Sequence, residues 1–232
     1  MAPQFLITKI GKNEIGDLKV IMFFLKKIGF KVQILDKNSA TTTDLIYISG
    51  ISNNSQQSFL KQQIELGTVC FAVGLGLAFC GKELVIDQKP LDGLGVLNFH
   101  SELNSLSNLV FSTIQTEKYG YIVGYKHLGL EIFLDNYQAL GNVKSGWGDN
   151  KLVKTSGIIY KNLIGINLQD NVLINNPDLL QDILQRVLDI KLKKNQITRQ
   201  FYDFSKATLN SIDDNFVQLM QVENLENLKI NL

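Results

Sequence analysis

Apolar runs alternate with helical patterns over the first third of the chain. Strands are predicted at residues 4–9, 31–35, 44–49 and 68–73, where β-forming apolar residues cluster. Helices are predicted at 18–30 and 55–67. In the first helix, apolar residues recur every three or four positions, at Leu18, Ile21, Met22, Leu25 and Ile28. Strands that alternate with helices of about a dozen residues indicate βαβ units and a parallel sheet.

The pattern changes between about residue 84 and residue 168. Short β-like runs are separated by glycines, at 84–86, 95–99, 108–114, 119–125, 130–134, 156–160 and 163–168. No long helical pattern interrupts these runs, so we expect strands that extend or flank the parallel sheet.

Helical patterns return near the C-terminus. Asn176-Pro177 is a helix-start signal for a segment at 177–194. A second helical segment is predicted at 198–221, followed by a polar tail at 223–232 that is expected to fray. We therefore predict a three-layer α/β fold, flavodoxin-like and dominated by parallel strands. It is divided into a domain at 1–195 and a helical extension at 196–232 that packs on it.

Composition narrows the class of protein. The 232 residues are 45% hydrophobic and 19% charged, with a net charge of +1. This balance gives no electrostatic reason to expect nucleic acid or an anionic membrane as a partner. No apolar run approaches the roughly 18 residues of a membrane span, and the N-terminus lacks the order of a signal peptide. With only two cysteines, the expectation is a reduced, cytoplasmic protein.

A strand, a glycine turn and a helix form the most informative stretch. Residues 67–81 read GTVCFAVGLGLAFCG, with Gly74 at the predicted apex. In a nucleophile elbow the reactive residue occupies this apex with a positive φ, which raises its side chain to the carboxyl edge of the sheet. The pattern fits the backbone of such an elbow. It also fits a helix that needs Gly74 and Gly76 only to pack closely on its strand.

Six stretches, in the same order as in a known family, give this turn a context. Together they resemble the class I, cobyric-acid-synthase-like glutamine amidotransferases, and within them the family of glutaminase subunits of lipid II isoglutaminyl synthases. The likeness covers residues 14–190 approximately. The stretches are EIGDLKVIMFFLKKIGFKV, LIYISGISNNSQQ, GTVCFAVGLGLAFCG, LDGLGVLNFHSE, GYKHLGLEIFL and GIIYKNLIGINLQDNVLINNPDL.

The resemblance implies a site in which the catalytic residues are replaced. The family's nucleophilic cysteine falls on Gly74 and its general-base histidine falls on Gln169. Glutamine hydrolysis needs a thiolate and an imidazole, and neither glycine nor an amide supplies them. The degenerate positions therefore predict no catalytic residue. The substrate-binding positions that the family implies are Ser49, Gly50, Asn53, Gly74, Leu75, His127 and Gln169.

The implied function is that of a glutamine amidotransferase-like subunit that no longer acts as a glutaminase. The resemblance implies a Mur-ligase-like partner subunit, amidation of a peptidoglycan precursor, and glutamine or that precursor as a ligand. It implies no cofactor, and the two cysteines and two histidines have no metal-site spacing.

Two other hypotheses stay open at this stage. The first is a working glutaminase that uses displaced residues, with Cys80 and His127 as the candidates. Cys70 and Cys80 are more simply explained as core residues, and His100 as a satisfied strand or loop residue. The second is a binding module that holds an amino acid or a peptide end beside Ser49, Gly74 and Gln169 without reacting.

Two surface features carry weaker hypotheses. Five basic residues fall within residues 186–199, which most often indicates a solvated helix face and less often a partner-facing patch. Trp147 lies in a glycine-rich loop, where it either anchors an interface or packs under the loop.

Overall fold

The computed structural model describes residues 2–11, 15–35, 42–52, 54–106, 108–134, 137–169 and 171–210. Its strands are β1 Gln4–Ile10, β2 Lys31–Leu35, β3 Leu45–Ile48, β4 Val69–Val73, β5 Glu83–Ile86, β6 Lys89–Asp92, β7 His100–Leu103, β8 Leu109–Thr116, β9 Gly120–His127, β10 Leu130–Phe133, β11 Ala139–Ser145, β12 Thr155–Tyr160 and β13 Leu163–Ile166. Its helices are α1 Ile15–Lys27, α2 Asn54–Glu65, α3 Leu75–Phe79, α4 Pro177–Lys193 and α5 Arg199–Leu209.

Five parallel strands, in the order β2-β1-β3-β4-β13, form one half of a nine-stranded sheet. Side chains of β4 alternate between two separate cores: Phe71 and Val73 enter one, and Cys70 and Ala72 enter the other. Residues of α1 and α4 line the first core, and residues of α2 and α3 line the second. Because both faces are covered, the strand is a continuous apolar run. The predicted three-layer α/β fold is confirmed.

Four antiparallel strands continue the sheet from β13 in the order β12-β11-β8-β9. The backbone N–H of Gln169 donates to the carbonyl of Tyr125 at 2.8 Å, and that of Tyr125 donates back at 3.4 Å. The last strand, β9, therefore returns to the segment that follows β13. This antiparallel half is larger than the sequence pattern suggested, and it closes on itself beside the end of β13.

A second sheet has the order β10-β7-β5-β6. The strand predicted at 95–99 is wrong, because this segment is a loop. Its apolar residues Leu97 and Phe99 are buried under the second core, and the N–H of Leu97 bonds to the carbonyl of Cys80 rather than to a strand. The apolar residues of the segment 95–99 are therefore explained by burial of a loop. Strands β6, β7 and β11 were not predicted.

The C-terminal helices pack on the first core. Pro177 begins α4, and the ring of Phe201 in α5 lies 4.9 Å from that of Phe30. Residues 211–232, which include the second half of the helix predicted at 198–221 and the polar tail, lie outside the described residues. None of the described helices is both long and apolar enough to cross a membrane.

The basic run is only partly a solvated face, which corrects the simpler prediction. Lys191 is buried, forms an ion pair with Asp44 at 2.8 Å and donates to the carbonyl of Gln4. Arg186 pairs with Asp182 one helical turn away. Lysine side chains bury their aliphatic stems readily when the ammonium has partners.

Candidate functional site

Three neighbouring parallel strands end at the same edge of the sheet. Ser49 and Gly50 follow β3, Gly74 and Leu75 follow β4, and Gln169 lies just beyond β13. Ligand sites of open α/β sheets form at the carboxyl ends of such strands. The structure therefore brings five of the predicted binding positions to one edge. Asn53 lies outside the described residues.

Gly74 has the backbone of an elbow. Its φ of 48° and ψ of −116° lie in a region that residues with side chains rarely occupy. The Gly74 N–H donates to the carbonyl of Ile166 at 2.9 Å, which ties the turn to β13. Its own carbonyl accepts from the N–H of Ala78 at 3.1 Å, which begins α3. The turn thus reverses the chain directly from strand to helix.

Gly74 and Gln169 are neighbours. A Cβ added to Gly74 would lie 3.7 Å from Oε1 of Gln169 and 3.6 Å from the carbonyl oxygen of Leu168. These are ordinary van der Waals distances, so the space for a side chain on Gly74 is present. The positions that the resemblance gives for the nucleophile and the base therefore adjoin each other, although they are distant in sequence.

The second glycine of the turn has a packing role. A Cβ on Gly76 would lie 2.1 Å from the carbonyl oxygen of Ile48, a distance that no structure tolerates without movement. Glycine is therefore required there for α3 to approach the end of β3. Both explanations of the glycine turn hold, each for a different residue.

Gly11 is a site residue that the sequence reasoning missed. It follows β1 with a φ of 101°, and a Cβ there would lie 2.7 Å from both Oγ of Ser49 and the N atom of Gly50. The Ser49 hydroxyl donates to the carbonyl of Ile10 at 3.2 Å. Because β1 is the parallel neighbour of β3, the rule that carboxyl ends meet could have identified this glycine.

Both cysteines are buried in the second core. The thiol of Cys80 lies just after α3 and donates to the carbonyl of Gly76 at 3.3 Å. Because α3 ends at Phe79, Cys80 caps a short helix rather than lying within a longer one. Burial raises the pKa of the Cys80 thiol to about 12, and it raises the pKa of Cys70 well above its usual range. A thiol that stays protonated at neutral pH is a poor nucleophile.

The two histidines have separate environments. His100 stacks on Phe133 with ring centroids 4.4 Å apart. His127 is half-buried at the end of β9, where its Nδ1 accepts from the N–H of Gly129 at 3.1 Å. Burial, together with the neighbouring charge of Lys126, lowers the pKa of His127. It is connected to Gln169 through Tyr125, two residues earlier on the same strand.

A buried polar cluster lies behind this edge and was not predicted. Nζ of Lys126 donates to the carbonyl oxygens of Leu130, at 2.7 Å, and Asp149, at 3.2 Å. The side-chain amide of Asn167 donates to the same Asp149 carbonyl at 3.2 Å. Burial lowers the pKa of Lys126 to about 8 and raises that of the Asp149 carboxyl to about 6. The Asp149 carboxylate accepts from Ser156 and from the N–H of Gly157.

No group of three or more metal-binding side chains occurs within the described part of the chain. The site at the sheet edge is instead made of backbone, glycine, a hydroxyl and an amide. Such a set can hold a ligand by hydrogen bonds. Among the described residues of this edge, Gly74 has no side chain that could act as a nucleophile, and the amide of Gln169 does not take up a proton near neutral pH.

The fold is that of the class I glutamine amidotransferases. A glutamine amidotransferase from Thermotoga maritima superposes with a TM-score of 0.52 at 10% identity, covering 96% of this chain and 97% of that one. PurLQS from the same organism superposes with a TM-score of 0.53 at 12% identity, covering 82% of this chain and 99% of that one. At such low identities these structures establish the fold alone.

Two proteins from the family that the sequence resembles also match this chain in sequence comparison. The chain is 28% identical over 195 residues to the lipid II isoglutaminyl synthase (glutamine-hydrolyzing) subunit GatD of Staphylococcus aureus, covering 77% of this chain and 80% of that protein. The protein of the same name from Streptococcus pneumoniae is 28% identical over 207 residues, covering 80% of this chain and 78% of that protein. No family model matches the chain.

Proposed function

We propose that this chain is a glutamine amidotransferase-like subunit that acts in the amidation of lipid II without hydrolysing glutamine itself. Its partner is a Mur-ligase-like subunit, which carries out the amidation. The names of the two relatives support lipid II amidation as the reaction in which this subunit takes part. The arrangement at the sheet edge supports the absence of hydrolysis.

One observation carries the proposal: a turn with the backbone of a nucleophile elbow has Gly74 at its apex and Gln169 beside it. Gly74 has the elbow backbone and adjoins Gln169, which supports the correspondence of these two residues to the nucleophile and the base of the family. Neither residue can form or resolve a thioester. Cys70 and Cys80 do not replace the nucleophile, because both are buried and burial raises the pKa of both thiols.

The test compares nitrogen donors in the assembled enzyme. The purified complex with the Mur-ligase-like subunit is given lipid II, ATP and either glutamine or ammonium chloride. We expect amidation with ammonium and none with glutamine, and no release of glutamate. Glutamate release that persists in a Cys70→Ala, Cys80→Ala double variant would contradict the assignment of Gly74 and Gln169.

The space above Gly74 favours a second candidate function, in which the vacated site binds a ligand. A Cβ there meets only ordinary contacts, so a methyl-sized group fits at the apex without displacing its neighbours. An amino acid or the end of a muropeptide would then be held without reaction. Thermal-shift measurements with glutamine, glutamate and a muropeptide test this. Stabilisation of the isolated chain would support binding, and no shift would favour the scaffold role.

A further inference from the structure

The outward face of the β8–β9 hairpin contains no Asp, Glu, Lys or Arg. Residues that pair across antiparallel strands share a face, and alternate residues along each strand lie on the same side. We call these eight side chains the hairpin face. By the observed register they are Leu109, Phe111, Thr113, Gln115, Tyr121, Val123, Tyr125 and His127.

Large aromatic side chains on this face are open to solvent. Phe111 is 50% exposed, Tyr121 61% and Tyr125 43%, and the rings of Phe111 and Tyr125 meet edge to face at 5.6 Å. On the opposite side of the same strands, Ile114 and Ile122 are fully buried. Exposed aromatic residues on a face that itself has no charged side chain are typical of the centre of a protein interface.

The hairpin face is continuous with the elbow. Tyr125 pairs with Gln169 through two backbone hydrogen bonds, so their side chains lie on the same side. Oε1 of Gln169 lies 3.7 Å from the position of a Cβ on Gly74. A molecule seated on the hairpin face therefore lies beside Gln169, the residue that adjoins Gly74.

We propose that the hairpin face is the docking surface for the partner subunit, which contacts it with an apolar, uncharged surface of its own. This inference rests on the proposed function. A subunit that supplies nitrogen must turn its elbow towards the subunit that uses it. This chain keeps the backbone of such an elbow beside the hairpin face, and the same docking position serves a subunit that no longer hydrolyses glutamine. The relatives named above are themselves subunits of such an enzyme.

The chemistry of the face disfavours other occupants. Nucleic acid is bound largely through basic side chains that contact phosphates, and the hairpin face has none. Anionic membrane surfaces likewise attract basic residues. An uncharged face complements an uncharged protein surface, since burying an unpaired charge against it would be costly.

The test measures affinity for the purified Mur-ligase-like subunit of the same organism. Phe111→Glu and Tyr121→Glu each place a charge on the hairpin face, and we expect each to weaken binding roughly tenfold or more. Phe111→Leu keeps the face apolar and should retain most of the affinity. The matched control is Phe204→Glu, which charges a 58% exposed phenylalanine on α5 and should bind like the wild type. Circular dichroism and thermal unfolding confirm that each variant is folded.

Each outcome is decisive. Wild-type chain that does not bind the partner overturns the proposed function, and the docking surface with it. Wild-type binding that Phe111→Glu and Tyr121→Glu leave unchanged overturns the docking surface and leaves the proposed function standing. If the isolated chain self-associates and Phe111→Glu abolishes this without affecting partner binding, the face joins two copies of this chain, and the proposal is wrong.

Discussion

Gly74 occupies a backbone conformation that favours glycine while leaving room for a side chain. A non-glycine residue at such an unusual φ and ψ stores roughly 1–3 kcal/mol of strain. An active elbow keeps this strained backbone because it raises the nucleophile to the carboxyl edge of the sheet. Under the proposed loss of the nucleophile, glycine at the apex relieves the strain and the fold is kept.

Backbone strain at the apex sets the loss of stability that a side chain at Gly74 would cause. Gly74→Ala should lower the free energy of unfolding by about 1–3 kcal/mol, through backbone strain rather than a clash. Gly120→Ala is the matched control, since Gly120 has a φ of 62°, in the left-handed region, with open space around it, and its cost should be about 1 kcal/mol. Chemical denaturation measures both. A cost for Gly74→Ala below that of Gly120→Ala would show that the apex is unstrained.

A second prediction at this scale concerns chemistry. Because the Cβ position at Gly74 lies 3.7 Å from the Gln169 side chain, the double variant Gly74→Cys, Gln169→His should bring a thiol within reach of an imidazole. We expect it to hydrolyse glutamine roughly 10²-fold faster than Gly74→Cys alone, the usual contribution of a general base.

The single variant Gln169→His is the control for the imidazole alone and should be inactive. Glutamate release is measured with and without the partner subunit. Hydrolysis by the wild-type chain at the rate of the double variant would mean that neither position was vacated.

Among the elements, the short helix α3 packs tightly against the end of β3. It has five residues, and its second residue, Gly76, approaches the carbonyl of Ile48 too closely for any side chain. Gly76→Ala should therefore lower the free energy of unfolding by about 3 kcal/mol or more, since backbone must move to admit the methyl group. Leu75→Ala, at a half-buried position one residue earlier, is the control and should cost less. Equal losses of unfolding free energy in the two variants would show that α3 shifts at little cost to admit the methyl group.

The central parallel strands β3 and β4 could be predicted because both of their faces are buried. The strands predicted at 44–49 and 68–73 correspond to β3 and β4 to within one residue. The edge strand β6, with the sequence KPLD, has no apolar pattern because all four residues are exposed. The opposite error at 95–99 arose because a buried loop has the apolar residues of a strand. The hydrophobic pattern therefore indicates which residues are buried more directly than it indicates which residues form strands.

Across the whole molecule, the site could be predicted in part. The meeting of Gly74 and Gln169 follows from β4 and β13 being neighbours, which the resemblance implied. The contact of Gln169 with Tyr125 depends on β9 returning to the end of β13, and no local pattern specifies that closure. The cluster of Lys126, Asp149 and Asn167 joins three separate segments, none of which has a distinctive motif.

That cluster predicts how stability depends on pH. The pKa of Lys126 is about 8 in the folded chain, against 10.5 for an ordinary lysine. Between these values the unfolded chain binds more protons, so the Lys126 contribution makes the free energy of unfolding rise with pH, by at most about 3 kcal/mol. The Asp149 carboxyl acts in the opposite direction at lower pH. Its pKa of about 6 lies above the ordinary 3.8, so its contribution makes stability fall as pH rises between those values.

Lys126→Met separates the two effects, because it keeps the aliphatic stem and removes the charge. The rise in stability between about pH 8 and 10.5 should disappear relative to the wild type. The pH window over which the Asp149 contribution makes stability fall should extend to higher pH, since the neighbouring cation that lowers the folded pKa of Asp149 is gone. Lys193→Met, which alters an exposed lysine on α4, should keep the wild-type profile. If urea denaturation across this range shows the same rise for Lys126→Met as for the wild type, Lys126 is not the group that titrates there.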